Sequence, residues 1–253
     1  MTPQLPLIGQ RALIAGGSRG IGFGIALGLA RAGAQVAVCA RGQQGLDQAA
    51  AQCAGEGLAL HTSRCDLADA AQLAAWVEQA AQALGGIDIL VNNASGFGGG
   101  DSEAGWEASL QVDLMAAVRA SRAALPWLRR SAAGCILNVS SINGLVPTPR
   151  TLAYSTAKAA MNYYTTALAT ELAPERIRVN ALAPGSIEFP GGRWAERREQ
   201  DPALYQRIRA SIPFGDFGQV DAVAEAALFL CSPAARWITG QVLAVDGGQS
   251  LPG

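Results

Sequence analysis

The chain has 253 residues, of which 50% are apolar and 15% charged, and its formal net charge is −1. That composition excludes a disordered chain, and the charge balance excludes a basic field that would recruit nucleic acid or anionic lipid. Five cysteines, dispersed and never spaced C-x-x-C, exclude a disulfide or zinc framework and suit reduced thiols in a cytoplasm. The opening "MTPQLPLIGQR" has no charged region followed by a long apolar run, so a cytoplasmic protein without a leader is expected. Later apolar stretches break well before bilayer length, and no membrane association is expected.

In chain order, short β-branched runs predict strands at 12–16, 36–40, 58–63, 87–92, 135–140, 178–183 and 241–246. Ala- and Leu-rich patterns between them predict helices near 21–32, 43–54, 69–84, 103–130, 153–173 and 221–231. Strand–helix alternation, with strands apolar on both faces, predicts an α/β fold with a doubly wound parallel sheet. No linker or repeat divides the chain, so one domain over 1–253 is expected. The least regular segment, 185–218, is a long excursion of the kind that forms lids, placed here at about 188–212. In the helix at 103–130, a step of about 100° per residue puts Trp106, Leu110, Asp113 and Ala117 on one face. No basic residue three or four positions away neutralises Asp113 within that helix.

Between the first strand and first helix, "LIAGGSRGIG" carries Gly16, Gly20 and Gly22. Glycines there let the backbone approach a diphosphate, which the positive helix end then faces. It is not a Walker loop, because no Gly-Lys-Ser/Thr follows. The second strand ends "VCARG", with Ala40 and Arg41 and no acid before Asp47. An NAD site places an acid there for the ribose 2′-hydroxyl; Arg41, with Arg19 in the loop, instead suits a 2′-phosphate. NADP(H) is therefore expected over NAD(H), the bland alternative being two ordinary surface arginines. The single histidine, His61, reads as structural, and one histidine excludes a Ser-His-Asp triad or a His-rich metal site by counting.

Of 19 basic residues, 18 are Arg and one is Lys158, four positions after Tyr154 in a helical stretch. The two side chains share a face, and an ammonium favours the phenolate of a tyrosine that ordinarily titrates near pH ~10. Upstream, "NVSSING" ends a strand with Ser140 and Ser141, hydroxyls suited to a substrate carbonyl.

These residues resemble the short-chain dehydrogenase/reductase family over essentially the whole chain. The motifs run from "GGSRGIG" through "LVNNAS", "NVSS", "YSTAK" and "NALAPGSI" to "VDGG". The resemblance implies a Rossmann-type sheet of about seven parallel strands and a homotetramer (or homodimer) built through the helices at 103–130 and 153–173. It implies that Tyr154 exchanges the proton, Ser141 polarises the carbonyl, and Lys158 assists Tyr154 and binds the nicotinamide ribose. Gly16, Ser18, Arg19 and Ile21 would cradle the phosphates, and Asp66 and Leu67 would meet the adenine. Asn93 and Ala94 would flank a ribose, and Pro184, Gly185 and Ile187 would contact the nicotinamide end.

Four positions depart from the family pattern. Ala15 replaces a Thr that ties the glycine loop to the Asn-Asn-Ala turn, and Ser95 replaces a Gly and would restore some of that bonding. Phe189 replaces a Thr that contacts the cofactor. Asp113 replaces the catalytic Asn, whose main-chain carbonyl serves a proton relay from Lys158, and is expected to face the cleft near Lys158. An ionised Asp113 would favour the Lys158 ammonium and oppose a Tyr154 phenolate, placing the activity optimum at higher pH than in an Asp113→Asn variant; the alternative is an Asp113 kept protonated by burial, mimicking Asn as a donor.

The resulting expectation is an NADPH-dependent oxidoreductase interconverting a small-molecule ketone and a secondary alcohol. The resemblance favours 3-oxoacyl thioesters; a sugar or polyol dehydrogenase, or a lapsed NADP-binding sensor or scaffold, are the alternatives. The lid carries Arg193, Arg197, Arg198, Arg207 and Arg209 against Glu188, Glu196, Glu199 and Asp201, a near balance that leaves its role as an anion receiver open.

Overall fold

The structure, a computed structural model, describes residues 6–98 and 100–251. Residues 1–5, which begin the stretch expected to lack a leader, lie outside the described residues. The first half alternates β1 (Arg11–Ala15), α1 (Gly20–Arg31), β2 (Gln35–Ala40), α2 (Gln43–Gly55), β3 (Leu60–Arg64), α3 (Ala70–Leu84) and β4 (Ile89–Asn92). Then come α4 (Glu103–Ala108), a π-helical turn (Ser109–Met115), α5 (Ala116–Leu128), β5 (Cys135–Val139), α6 (Leu152–Leu172) and β6 (Arg178–Pro184). The chain closes with β7 (Ile187–Glu188), α7 (Arg193–Gln200), α8 (Pro202–Ala210), β8 (Gly218–Gln219), α9 (Val220–Cys231) and β9 (Val242–Val245).

Seven parallel strands form one sheet in the order β3-β2-β1-β4-β5-β6-β9, the Rossmann-type fold expected. Alternation along each strand feeds two cores. In β1, Ile14 packs with Ile25, Leu29 and Val223 on the α1/α9 side. Its neighbour Leu13 packs with Leu73, Leu128 and Leu172 on the α3/α5/α6 side. Helices therefore cover both faces. The order reverses between β1 and β4, so the loops leaving their carboxyl ends diverge and open a crevice there.

Two expectations change. The excursion at 185–218 is ordered: β7 and β8 pair, Ile187 with Gly218 and Glu188 with Gln219, and α7 and α8 lie between them. The helix at 103–130 is interrupted at Ser109–Met115, where π-type hydrogen bonding reaches one residue further than in an α-helix. That extra residue per turn breaks the assumed step. Leu110, placed with Asp113 by the regular step, is 37% exposed, whereas Ser109 and Asp113 are fully buried.

Candidate active site

The carboxyl ends of the central strands open into a cleft of about 1400 Å³. One wall is the glycine turn. Gly16 has φ +86°, and a Cβ there would press on the Ala94 backbone. A side chain at Gly22 would run into the Gly16 carbonyl and the Asn93 amide. Asn93 Nδ2 donates to the Gly16 carbonyl at 2.6 Å, tying the turn after β4 to the glycine turn. Ser95 makes no such tie, for its Oγ accepts from the Phe97 N–H at 3.2 Å and shapes its own turn. The helix α1 starts at Gly20 with no side-chain cap and no acid in its first turn. Its free N–H groups and positive end are thus available to an anion, and Ser18, Arg19 and Ile21 line the cleft beside them.

At the β2 end, Arg41 lines the cleft, and Arg64 Nε donates to the Arg41 carbonyl at 3.3 Å. Arg19 leans the other way, its Nη1 lying 3.4 Å from the Gly191 carbonyl. Asp66 and Leu67 close this end, with Asp66 Oδ1 accepting from the Ala68 N–H at 3.1 Å.

The opposite wall carries Ser141, Tyr154 and Lys158. Ser141 leaves the end of β5, and its Oγ accepts from the Asn143 N–H at 3.2 Å. Its own hydrogen remains available to an oxygen in the cleft. Tyr154 and Lys158 sit one turn apart on α6, with Lys158 Nζ 5.6 Å from the phenol ring centre. Lys158 Nζ donates to the Val139 carbonyl at 2.9 Å and lies 3.2 Å from Asp113 Oδ1. The latter contact is an ion pair without hydrogen-bond alignment, and Oδ1 has no other partner. Asp113 Oδ2 accepts from the Gly96 N–H at 3.1 Å. Asp113 is fully buried and sits behind Lys158, off the cleft wall it was expected to face. The π-helical turn aims it inward.

Pro184, Gly185 and Ile187 form the floor where β6 ends. Gln249, unforeseen from sequence, fastens it: Ser186 N–H donates to Gln249 Oε1 at 2.9 Å. Phe189 lies against Gly20 and Gly192, where an added Cβ at either glycine would strike its ring. Above Tyr154, Phe97 stacks at 6.0 Å and 17° with φ +45°, a left-handed conformation costly for a bulky residue. Only its place in "SGFGGG" could have drawn attention to it. In the excursion, Phe217 packs with Trp194 at 5.1 Å and with Tyr205 at 4.5 Å. Burial, then acceptance by Glu188 at 3.0 Å, pushes the Tyr205 hydroxyl up, so it stays a donor.

A family model described as Enoyl-(Acyl carrier protein) reductase matches residues 15–250. Dehydrogenase/reductase SDR family member 4 of Homo sapiens is 36% identical, the match covering 98% of this chain and 90% of that protein. The rhamnolipids biosynthesis 3-oxoacyl-[acyl-carrier-protein] reductase of Pseudomonas aeruginosa is 36% identical over 99% of this chain and 100% of its own. The NADPH-bound short chain oxidoreductase of Pseudomonas aeruginosa PAO1, described as containing an atypical catalytic center, superposes with TM-score 0.87. It is 34% identical, and the match covers 97% of this chain and 99% of that one. Several other solved neighbours are NADP or NADPH complexes. With these matches spanning nearly its full length, the chain belongs to the short-chain dehydrogenase/reductase family, whose named members act on alcohol and carbonyl groups.

Proposed function

We propose that this protein is an NADPH-dependent carbonyl reductase, reversible as an alcohol dehydrogenase, with residues 188–212 as its lid. The observation that carries the reading is the shared cleft: Ser141, Tyr154 and Lys158 on one wall face an uncapped helix end and a glycine turn on the other. The free N–H groups of α1 and the close approach at Gly16 fit a diphosphate. Arg41 at the end of β2, with no acid beside it, favours NADP(H) over NAD(H). Asp66, Leu67, Asn93 and Ala94 then meet the adenosine and ribose, and Pro184, Gly185 and Ile187 the nicotinamide. When bound, the cofactor supplies or takes the hydride. Ser141 donates to the substrate oxygen and Tyr154 gives it the proton. Lys158, anchored by Val139, keeps a positive charge beside the phenol as it ionises. Asp113 acts through Lys158 as a positioning residue.

The 3-oxoacyl reductase relative supports 3-oxoacyl thioesters as one substrate class. Self-association is part of the same reading. The outward face of α6 carries Leu152, Thr156, Ala159, Tyr163, Thr166 and Thr170, an exposed stripe without a charge. Such a stripe suits a homotetramer or homodimer.

Tyr154→Phe tests the mechanism. It is expected to lower kcat by about 10²–10⁴-fold while NADPH affinity, read by fluorescence titration, stays unchanged. Retained turnover overturns the role of Tyr154. NADPH binding without oxidation across ketones, thioesters and sugars favours a lapsed sensor instead.

A further inference from the structure

The near balance of charge along the excursion at 185–218 disappears once each side chain is located. Asp201 caps α8, its Oδ1 accepting from the Leu204 N–H at 3.0 Å. Glu188 is engaged by Tyr205 at 3.0 Å and by Arg198 at 3.2 Å. Asp216 is held by two nitrogens of Arg209, at 3.1 and 3.0 Å. Glu196 and Glu199 do not line the cleft. The charged residues of the excursion that do line it are Arg193 and Arg207, and Arg150 joins them from the loop before α6. Among the described residues none of the three has a carboxylate within 4 Å or a side-chain hydrogen bond. The acid on the cleft wall, Asp66, belongs to the far end beyond β3.

Arg193 is the more telling because of where it stands. It is the first residue of α7, whose Gly192 cap offers no side chain, and the acid of the first turn, Glu196, makes no ion pair with it. A cation at that end of a helix is unfavourable, and a bound anion would relieve it. Trp194, Leu204 and Ile208 line the same cleft and give it apolar surface.

We infer that the substrate is an anionic amphipathic ketone. Its carboxylate or phosphate is gripped by Arg150, Arg193 and Arg207, and its apolar segment lies on Trp194, Leu204 and Ile208. This rests on the carbonyl-reductase reading of the same cleft and names the chemical class that enters it. Guanidinium groups pair with carboxylate and phosphate alike, so the anion can be the substrate's own acid or a phosphate on its carrier.

The test has a binding arm and a turnover arm. In the first, the protein saturated with NADP⁺ is titrated calorimetrically with hexanoate, hexyl phosphate and hexan-1-ol. Either anion is expected to bind at least tenfold more tightly than the alcohol, and that advantage is expected to vanish in the triple variant Arg150→Gln, Arg193→Gln, Arg207→Gln. In the second, kcat/KM is compared for 3-, 4- and 5-oxohexanoate, their methyl esters, and 3-oxohexanoyl coenzyme A. A tenfold or greater preference for an acid over its ester assigns the anion to the substrate. A preference for the thioester over both assigns it to the carrier phosphates. In both cases the triple variant should collapse the ratio to the ester towards one. Turnover of the esters equal to or better than that of both the acids and the thioester, or a ratio untouched by the triple variant, overturns the inference. If no ketone is reduced, the carbonyl-reductase reading fails, and the binding arm still decides whether the cleft selects anions.

Discussion

Asp113 supplies Lys158 with a counter-charge that the cleft wall itself lacks. The ammonium is 3% exposed, the carboxylate is fully buried, and they lie 3.2 Å apart. A buried ammonium needs compensation, and the Val139 carbonyl alone gives a dipole, not a charge. Replacing Asp113 by Asn keeps the shape and removes the charge, leaving the ammonium with the Val139 carbonyl alone, so Asp113→Asn is expected to cost about 3 kcal/mol of stability and to lower kcat/KM. An unchanged Tm would refute the counter-charge, and unchanged kcat/KM in the folded variant would make Asp113 a packing residue. Sequence revealed this acid as anomalous and set it near Lys158, but on the cleft wall instead of behind that lysine. A regular helical step cannot anticipate the π-helical turn that carries it inward. Ser95 misled for a related reason, because a hydroxyl in a turn bonds the nearest free N–H, here that of Phe97.

Among the elements, β1, β4 and β5 depend on a joint at their amino ends, remote from the cleft. Asp88 receives the Arg11 N–H at 2.9 Å, its Nε at 2.7 Å, its Nη2 at 2.9 Å, and the Ser131 hydroxyl. Burial by itself would raise this carboxyl, but Arg11 and Ser131 together outweigh burial and hold it below its usual range. A carboxylate depressed in the folded state stabilises at neutral pH, and that contribution is lost as pH falls through its folded value. Asp88→Asn is expected to cost about 2 kcal/mol at pH 7, or roughly 5 °C in Tm. The gap from wild type should begin to narrow below pH ~3.9, where the unfolded carboxyl protonates, and close only once the folded carboxyl protonates in turn. Melting curves from pH 3 to 7 check this; an equal Tm at pH 7 would show the joint to be dispensable. Strands and long helices were legible because apolar runs and Ala/Leu periodicity serve burial directly. The helix α7 was not, because its eight residues, "RWAERREQ", are almost all charged or polar. The helix α8 did carry a signal, Asp201-Pro202 ahead of Leu204, Tyr205 and Ile208, a cap and first-turn proline opening an apolar stripe.

For the whole molecule, the proposed homotetramer or homodimer would meet through the outward face of α6. Tyr163 is 77% exposed and Leu152 42%, on a helix whose inner face carries Tyr154 and Lys158. Pairing through that face would brace the helix that holds the reactive pair. Light scattering is expected to give a multiple of the 26.0 kDa chain mass for wild type, and Tyr163→Glu should reduce it. A monomeric wild type, or an assembly indifferent to Tyr163→Glu, would remove the helix from the interface. Motif order along the chain made the glycine-turn end of the cleft readable, since every motif but "YSTAK", which lies in α6, closes or follows a strand of the sheet. The substrate end was unreadable, because which arginines turn inward depends on ion pairs such as Arg209 with Asp216 that sequence spacing does not announce.

The solitary lysine gives the protein a built-in reporter. Feeding ¹⁵N-labelled lysine to the expression host marks one side-chain nitrogen in 253 residues, and that nitrogen lies beneath the reactive phenol. Its proton exchange with water is slowed by burial, which brings an ammonium resonance within reach of nuclear magnetic resonance. A single unassigned peak would then follow cofactor arrival, substrate arrival and the loss of the Asp113 charge, without a probe being added to the chain.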